Sequence, residues 1–151
     1  MSSFSQFSGR IILAHNSTGE AAVTRSGFNA TASFMDVLFA GSDSAVCQDH
    51  DNVDLFGVDL KDKILCVPQT IGSSAAATLW MIIVERGIAP RAVLFSDAID
   101  SVAACGLVLA NNWADGAPII CIDQLGHEFL DKVHTGDKVD IFEDGKIKVY
   151  H

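Results

Sequence analysis

Apolar and polar positions alternate in short runs at both ends of the chain and merge into solid apolar blocks in the middle. Residues 9–15, 20–24, 45–47 and 63–67 are short apolar or alternating runs, each bounded by Gly, Asn, Ser or Asp. Such runs predict strands, so the first 67 residues read mainly as strand. The period then changes. Ser73 and Ser74 offer a cap for a helix over about 75–86, with Leu79, Ile82 and Ile83 on one apolar stripe and Gly87 as its stop. Pro90 forces an exit from helix, and residues 92–95 read as a buried strand. A second helix is predicted over about 98–110, with Ser96 or Asp97 as its cap and Val102, Leu107 and Leu109 on its apolar surface. Residues 118–122 follow as another buried strand. In the tail, residues 137–142 and 146–150 alternate around Glu143-Asp144-Gly145, which predicts a hairpin. Strands at both ends and a β-α-β-α-β segment between them predict an α/β fold of mixed β-sheets, as a barrel or stacked sheets, flanked by helices. Neither a linker nor a repeat divides the chain, so residues 1–151 read as a single domain.

Composition narrows the function. A chain of 151 residues is long enough to bury roughly two thirds of its unfolded surface. With 49% hydrophobic and 19% charged residues, disorder is excluded. The formal charge of −9 argues against a nucleic acid or an anionic membrane as partner, because no basic face is available to displace counterions. No run approaches the roughly 18–20 apolar residues of a membrane span. The mean hydropathy of +0.30 is high for so small a chain, so part of the surface is expected to lie against another protein.

The segment Met1-Ser2-Ser3-Phe4-Ser5-Gln6 has neither a basic region nor a continuous apolar stretch, so no signal peptide is read and a cytoplasmic location is expected. Cys47, Cys66, Cys105 and Cys121 contain no C-x-x-C pair, so no metal or iron–sulfur site is expected from this chain alone. Cys66 and Cys121 lie inside apolar runs and read as reduced core thiols.

Chemistry concentrates where a buried strand meets a helix, at Thr70-Ile71-Gly72-Ser73-Ser74-Ala75-Ala76-Ala77. Gly72 permits close backbone approach or an unusual dihedral. Both hydroxyls fall where a helix leaves its first N–H groups unpaired and its dipole is positive, so a carboxylate or phosphate could be held there. Plain N-capping by Ser73 or Ser74 accounts for the same residues without a ligand. The stretch is neither a P-loop, which requires a lysine and different spacing, nor a G-x-S-x-G elbow. Elsewhere His15, His50, His127, His134 and His151 are scattered, and Asp49-His50-Asp51 reads as a solvated loop rather than a metal site. Asp97 and Asp100 read as helix-capping carboxylates, Trp80 and Met81 as core, and Asp54, Asp59, Asp62 and Asp115 as surface charge.

The segment from Ile64 to Asp123 resembles the small subunit, or swivel domain, of the aconitase X family. The matching parts are Ile71-Gly72-Ser73-Ser74, the helix end Glu85-Arg86-Gly87-Ile88-Ala89-Pro90-Arg91-Ala92, the strand Val93-Leu94-Phe95, the helix through Ala103-Ala110, and Pro118-Ile119. Thr135-Gly136-Asp137-Lys138-Val139 is similar to the family's ending, while Phe39 to Asp43 and Asp49-His50 match more loosely. The resemblance implies a swivelling β/β/α domain that closes over an active site carried mostly by a separately encoded large subunit, which holds an iron–sulfur cluster. The implied activity is dehydration of a small carboxylate, either cis-3-hydroxy-L-proline or phosphomevalonate. Ser73 matches the position of the proton acceptor, and Gly72 and Ser74 flank it as substrate-binding positions. A serine alkoxide is a poor resting species, so the helix N-terminus, together with metal charge from the partner, is expected to stabilise it. Phosphomevalonate-type members carry basic residues just before this glycine, where Gln69-Thr70-Ile71 stands here. That favours the hydroxyproline-type substrate. A non-catalytic swivelling domain that binds a partner is the rival from another class.

Overall fold

The computed structural model describes residues 3–151. Along the chain lie β1 (Phe4–Ser8), β2 (Arg10–Leu13), β3 (Ser17–Val23), β4 (Phe28–Asn29), α1 (Ala30–Ser33), α2 (Met35–Ala40), β5 (Ile64–Val67) and β6 (Thr70–Ile71). They are followed by α3 (Ala76–Glu85), β7 (Ala92–Phe95), α4 (Ser101–Trp113), β8 (Ile120–Asp123), α5 (His127–Lys132), β9 (Lys138–Ile141) and β10 (Lys146–Tyr150).

Eight strands form one mixed sheet in the order β1-β10-β9-β3-β5-β7-β8-β2, and β4 and β6 pair separately in parallel. The sequence-based expectation of a mixed-sheet α/β fold, barrel or stacked, flanked by helices, holds. Strand β3 joins two different halves. Its first residues, Ser17 to Glu20, pair antiparallel with β9, and Ala21 to Val23 pair parallel with β5. The outermost strands, β1 and β2, are consecutive in the chain and separated by Gly9 alone. Two edges joined by one residue cannot lie far apart, so the sheet curls into a nearly closed barrel. Gly9 is needed at this seam: a Cβ there would lie 2.3 Å from the carbonyl oxygen of Asp123.

Side chains of the parallel strands sort by the two-residue period. Ile64 and Cys66 of β5, Ala92 and Leu94 of β7, and Ile120 and Ile122 of β8 pack inside the barrel with Val139, Ile147 and Val149. Leu65, Val67, Val93, Phe95 and Cys121 face the other way, into a second core shared with α3 and α4. Strands buried on both faces give the unbroken apolar blocks seen in the sequence. Helix α5 brings Phe129 and Leu130 into the barrel interior, where Phe129 meets Phe7 edge-on at 5.4 Å. Helices α3 and α4 approach closely because α4 has Gly106 at their crossing, where a Cβ would fall 2.6 Å from Trp80 Cδ1 and 2.8 Å from Ala77 Cα. Among the described residues no helix is long and apolar enough to cross a membrane.

Several expected elements are corrected. Residues 9–15 are not one strand: β2 starts after Gly9 and stops at Leu13, and β1 lies before it. Residues 45–47 form only an isolated bridge, Val46 to Asp59, within a long irregular segment held by local turns. The N-terminal region, read mainly as strand, also holds α1 and α2, which lie between the expected strands. Asn29 starts α1 by accepting from the N–H of Ala32, and Gly41 ends α2 in the left-handed region at φ 68°. Neither Ser96 nor Asp97 caps α4. Asp100 does, with Oδ1 accepting from the N–H groups of Val102 and Ala103 at 3.0 Å, and the helix runs on to Trp113. Leu109 lies on the exposed side of that helix, not on its packed face.

At the barrel seam, Arg10 donates to Asp123 through Nε at 2.9 Å and a terminal nitrogen at 2.6 Å. Asp123 is fully buried, and its Oδ2 also accepts from the N–H of Ile99 at 2.8 Å. The hydrogen bond and charge of Asp123 hold the Arg10 guanidinium even more firmly protonated than usual. This pair ties β2 and β8 to the loop that leads into α4.

Candidate functional site

The turn between β6 and α3 opens onto a cavity of about 290 Å3. Gly72, Ser73 and Ala76 line one wall, and Asp100 to Ala103 at the start of α4 line another. Two helix N-termini therefore meet at one concave site, and their dipoles favour negative charge there. Trp80, completely buried, contributes to the floor, and its indole N–H has no partner within the chain. Met81 is half-buried beside the helix-side core, as expected for core residues.

Gly72 makes the turn possible. It sits at φ 105°, and a Cβ would fall 2.6 Å from Oδ1 of Asn29. A side chain at this position is thus excluded by both conformation and space. Ser73 Oγ accepts from the N–H of Ala75 at 3.1 Å, and the carbonyl of Ser73 accepts from Ala76. Ser73 therefore caps the turn of Ser74 and Ala75 that leads into α3, while Ala75 is the N-cap of the helix itself, without a side-chain hydrogen bond. Ser73 is also exposed to the cavity, so capping and ligand contact are compatible. Ser74 is exposed next to it without lining the cavity. Among the described residues, the backbone N–H groups of Ser73 and Ser74 have no acceptor within the chain.

The opposite wall is fixed by Asp100. Besides capping α4, it accepts a hydrogen bond from the Thr70 hydroxyl through Oδ2. This clamps β6 to α4 and sets the width of the cavity. Sequence reasoning identified Asp100 as a capping carboxylate, but its grip on Thr70 spans 30 residues and has no local signal. No lysine or arginine lines the cavity. Among the described residues, Ser73 has no histidine or carboxylate within hydrogen-bonding distance that could act as its base. The cavity wall offers the hydroxyls of Thr70, Ser73 and Ser101 and the first N–H groups of two helices.

Other candidates fall elsewhere. Asp97 accepts from Ser96 and lies 3.8 Å from His127. Asp49 is buried, with Oδ1 accepting from the N–H of Asp51, so it shapes its loop rather than being solvated as expected. His50 stacks on Phe56 with ring centroids 4.3 Å apart. Asp54 departs from its expected role as plain surface charge, accepting from the buried Thr24 hydroxyl and the Arg25 N–H. The cysteines do not fit an iron–sulfur cluster. Cys66 faces the barrel interior, Cys47 and Cys121 the helix-side core, and Cys105 is exposed on α4. Burial, with Asp123 nearby, pushes the Cys121 thiol up to about 12, and burial raises Cys66 well above the ordinary thiol range. Both stay protonated, whereas metal ligation requires thiolates.

The model of the family described as the aconitase X swivel domain matches residues 6–149. The fold is similar to the crystal structure of the holo-form of Thermococcus kodakaraensis aconitase X, with a TM-score of 0.77, 21% identity, and 97% of this chain and 99% of that chain covered. It is also similar to the solution NMR structure of a UPF0107 protein, with a TM-score of 0.75, 22% identity, and 97% and 100% of the two chains covered. No curated protein matches the sequence.

Proposed function

This chain belongs to the aconitase X swivel-domain family, and from that premise we propose that it is the small subunit of a two-subunit hydro-lyase that dehydrates cis-3-hydroxy-L-proline to Δ1-pyrroline-2-carboxylate. The observation that carries the proposal is the position of Ser73. It is an exposed hydroxyl at a cavity where two helices begin, with no base of its own. A site so incomplete requires a second polypeptide to close it. Exposed Ile71, beside Gly72, gives that partner an apolar surface to meet.

In this reading the proton next to the substrate carboxylate passes to Ser73 Oγ. The electron pair of that C–H bond forms the double bond, and the C–O pair departs with the hydroxyl as hydroxide, which takes a proton from solvent to become water; Ser73 Oγ then returns its proton to solvent. Tautomerisation of the enamine then gives the imine product. The N–H of Ala75, already donating to Ser73 Oγ, supports negative charge on that oxygen, and the α3 dipole adds to it. The free N–H groups of Ser73 and Ser74 suit the substrate carboxylate, and Gly72 lets the substrate approach the backbone. An iron–sulfur cluster held by the large subunit would supply the Lewis acid for the departing hydroxyl. The absence of lysine and arginine from the cavity wall favours an amino-acid carboxylate over a phosphorylated substrate. Buried, protonated thiols suit a cytoplasmic enzyme.

The test combines this chain with its large subunit and follows loss of water from cis-3-hydroxy-L-proline. Activity should require both chains and fall about 10²–10⁴-fold in Ser73→Ala, with the complex still formed. Full activity in that variant would remove Ser73 from the proton transfer. Turnover of phosphomevalonate instead would reassign the substrate. A stable complex inactive on both would favour a partner-binding role without chemistry.

A further inference from the structure

The five histidines are scattered in sequence, but the fold brings two of them to one carboxylate. His134 Nδ1 and His151 Nδ1 each lie 3.7 Å from Oδ2 of Asp137. The three ligand atoms all fall within 4.8 Å of one another. None of these residues lines the Ser73 cavity. They occupy the antiparallel half of the barrel: His134 and Asp137 precede β9, and His151 follows β10.

We propose that His134, Asp137 and His151 form a binding site for a divalent transition-metal ion of the zinc class. Two imidazole nitrogens and one carboxylate oxygen are borderline donors, which suit Zn2+, Ni2+ or Cu2+ rather than Mg2+ or Ca2+. Tetrahedral zinc with bonds near 2.0–2.1 Å places its ligand atoms about 3.3 Å apart. The two 3.7 Å separations thus need to close by only a few tenths of an ångström, and the two imidazole nitrogens, which lie within 4.8 Å of each other, by at most about 1.5 Å, a movement two exposed side chains can make. His134 and His151 are exposed and Asp137 half-buried, so the ions can enter from solvent and water can complete the shell.

The residues behind the donors are also in place. His151 Nε2 lies 3.0 Å from Ser5 Oγ. With the Nε2 proton donated to Ser5, Nδ1 carries the lone pair toward Asp137. Asp137 Oδ2 accepts from the backbone N–H of His134 at 2.9 Å, and the Asp137 N–H returns to the His134 carbonyl at 3.0 Å. Gly136, at φ 98°, makes this tight loop possible. A bound ion would clasp β1, β9 and β10 where the barrel's antiparallel half ends.

The test uses the untagged full chain, stripped with chelator and titrated with Zn2+ by calorimetry, and with Co2+ followed by visible absorption. One ion per chain should bind, and the thermal midpoint should rise with free metal. His134→Ala and His151→Ala should each weaken binding at least about tenfold, and His50→Ala and His127→Ala should leave it unchanged. Asp137→Asn keeps an acceptor for the His134 N–H and should also weaken binding, with far-UV circular dichroism like the parent's. No saturable binding, or binding undiminished in His134→Ala and His151→Ala, would overturn the site.

Discussion

Gly72 lies against Asn29 so closely that a Cβ on it would come within 2.6 Å of the Asn29 side-chain oxygen. The same oxygen caps α1 through the Ala32 N–H. The serine turn and the first helix therefore rest on one another. Gly72→Ala must either leave φ 105° or push Asn29 off its cap. The expected cost is about 2 kcal/mol, a fall of roughly 4–8 °C in thermal midpoint for a chain of this size. Calorimetry of the isolated chain checks this, and an unchanged midpoint would show that the turn relaxes freely.

Asp100 joins α4 to β6, and its two functions separate by substitution. Asp100→Ala removes the cap and the Thr70 contact and should cost about 1–2 kcal/mol. Asp100→Asn keeps one oxygen that can accept from the N–H groups of Val102 and Ala103 but loses the acceptor for the Thr70 hydroxyl, and should recover most of that loss. Urea unfolding of the three proteins distinguishes them. Equal stability of Ala and Asn variants would assign the effect to charge instead.

Asp123 is buried between Arg10 and the Ile99 N–H. Asp123→Ala strands that N–H and opens the barrel seam, with an expected loss of about 3 kcal/mol. A midpoint within error of the parent would mean that water replaces the carboxylate without penalty.

Asp140 sets an acid limit. Partial burial pushes its carboxyl up, but the hydroxyls of Thr18 and Tyr150 and the ammonium of Lys138 outweigh burial and hold it below its ordinary value of 3.8. A depressed folded value means stability that is complete above 3.8 and lost as pH falls through the lower folded value. Tyr150 moves the other way: its hydrogen bond to Asp140 raises it above 10.0, so that contribution persists below 10.0 and fades at higher pH. Melting curves of the parent and Asp140→Asn should differ at neutral pH and converge well below pH 3.8. A gap that stays constant into acid would disprove the carboxylate's part.

The central β5-α3-β7-α4-β8 segment was legible because its strands are buried on both faces and its helices are long enough to display a period. The hairpin was legible through Asp144-Gly145. Helices α1, α2 and α5 have six residues or fewer and cannot show an amphipathic repeat. Strand β6 has only two residues and exists by pairing with β4, which lies far away in the chain. The Gly72-Ser73 turn announced itself by residue type, whereas its other wall, Thr70 with Asp100, depended on tertiary packing. His134 and His151 could not be joined by reading along the chain, because the β9-β10 hairpin lies between them.

Gly9 places the first two strands at opposite edges of the same sheet, and β1 pairs with β10, Phe4 opposite Tyr150 and Ser8 opposite Lys146. This has a kinetic meaning. On the ribosome, β1 emerges first and finds no partner until β10 has been made, almost the entire chain later. The parallel unit around β5, β7 and β8 can assemble earlier, leaving the barrel open on one side. Closing it requires the longest-range contacts in the molecule, the kind that fold slowly and expose unpaired strand edges while they wait. Until β10 is complete, the hydrogen-bonding edge that β1 will use stays unpaired.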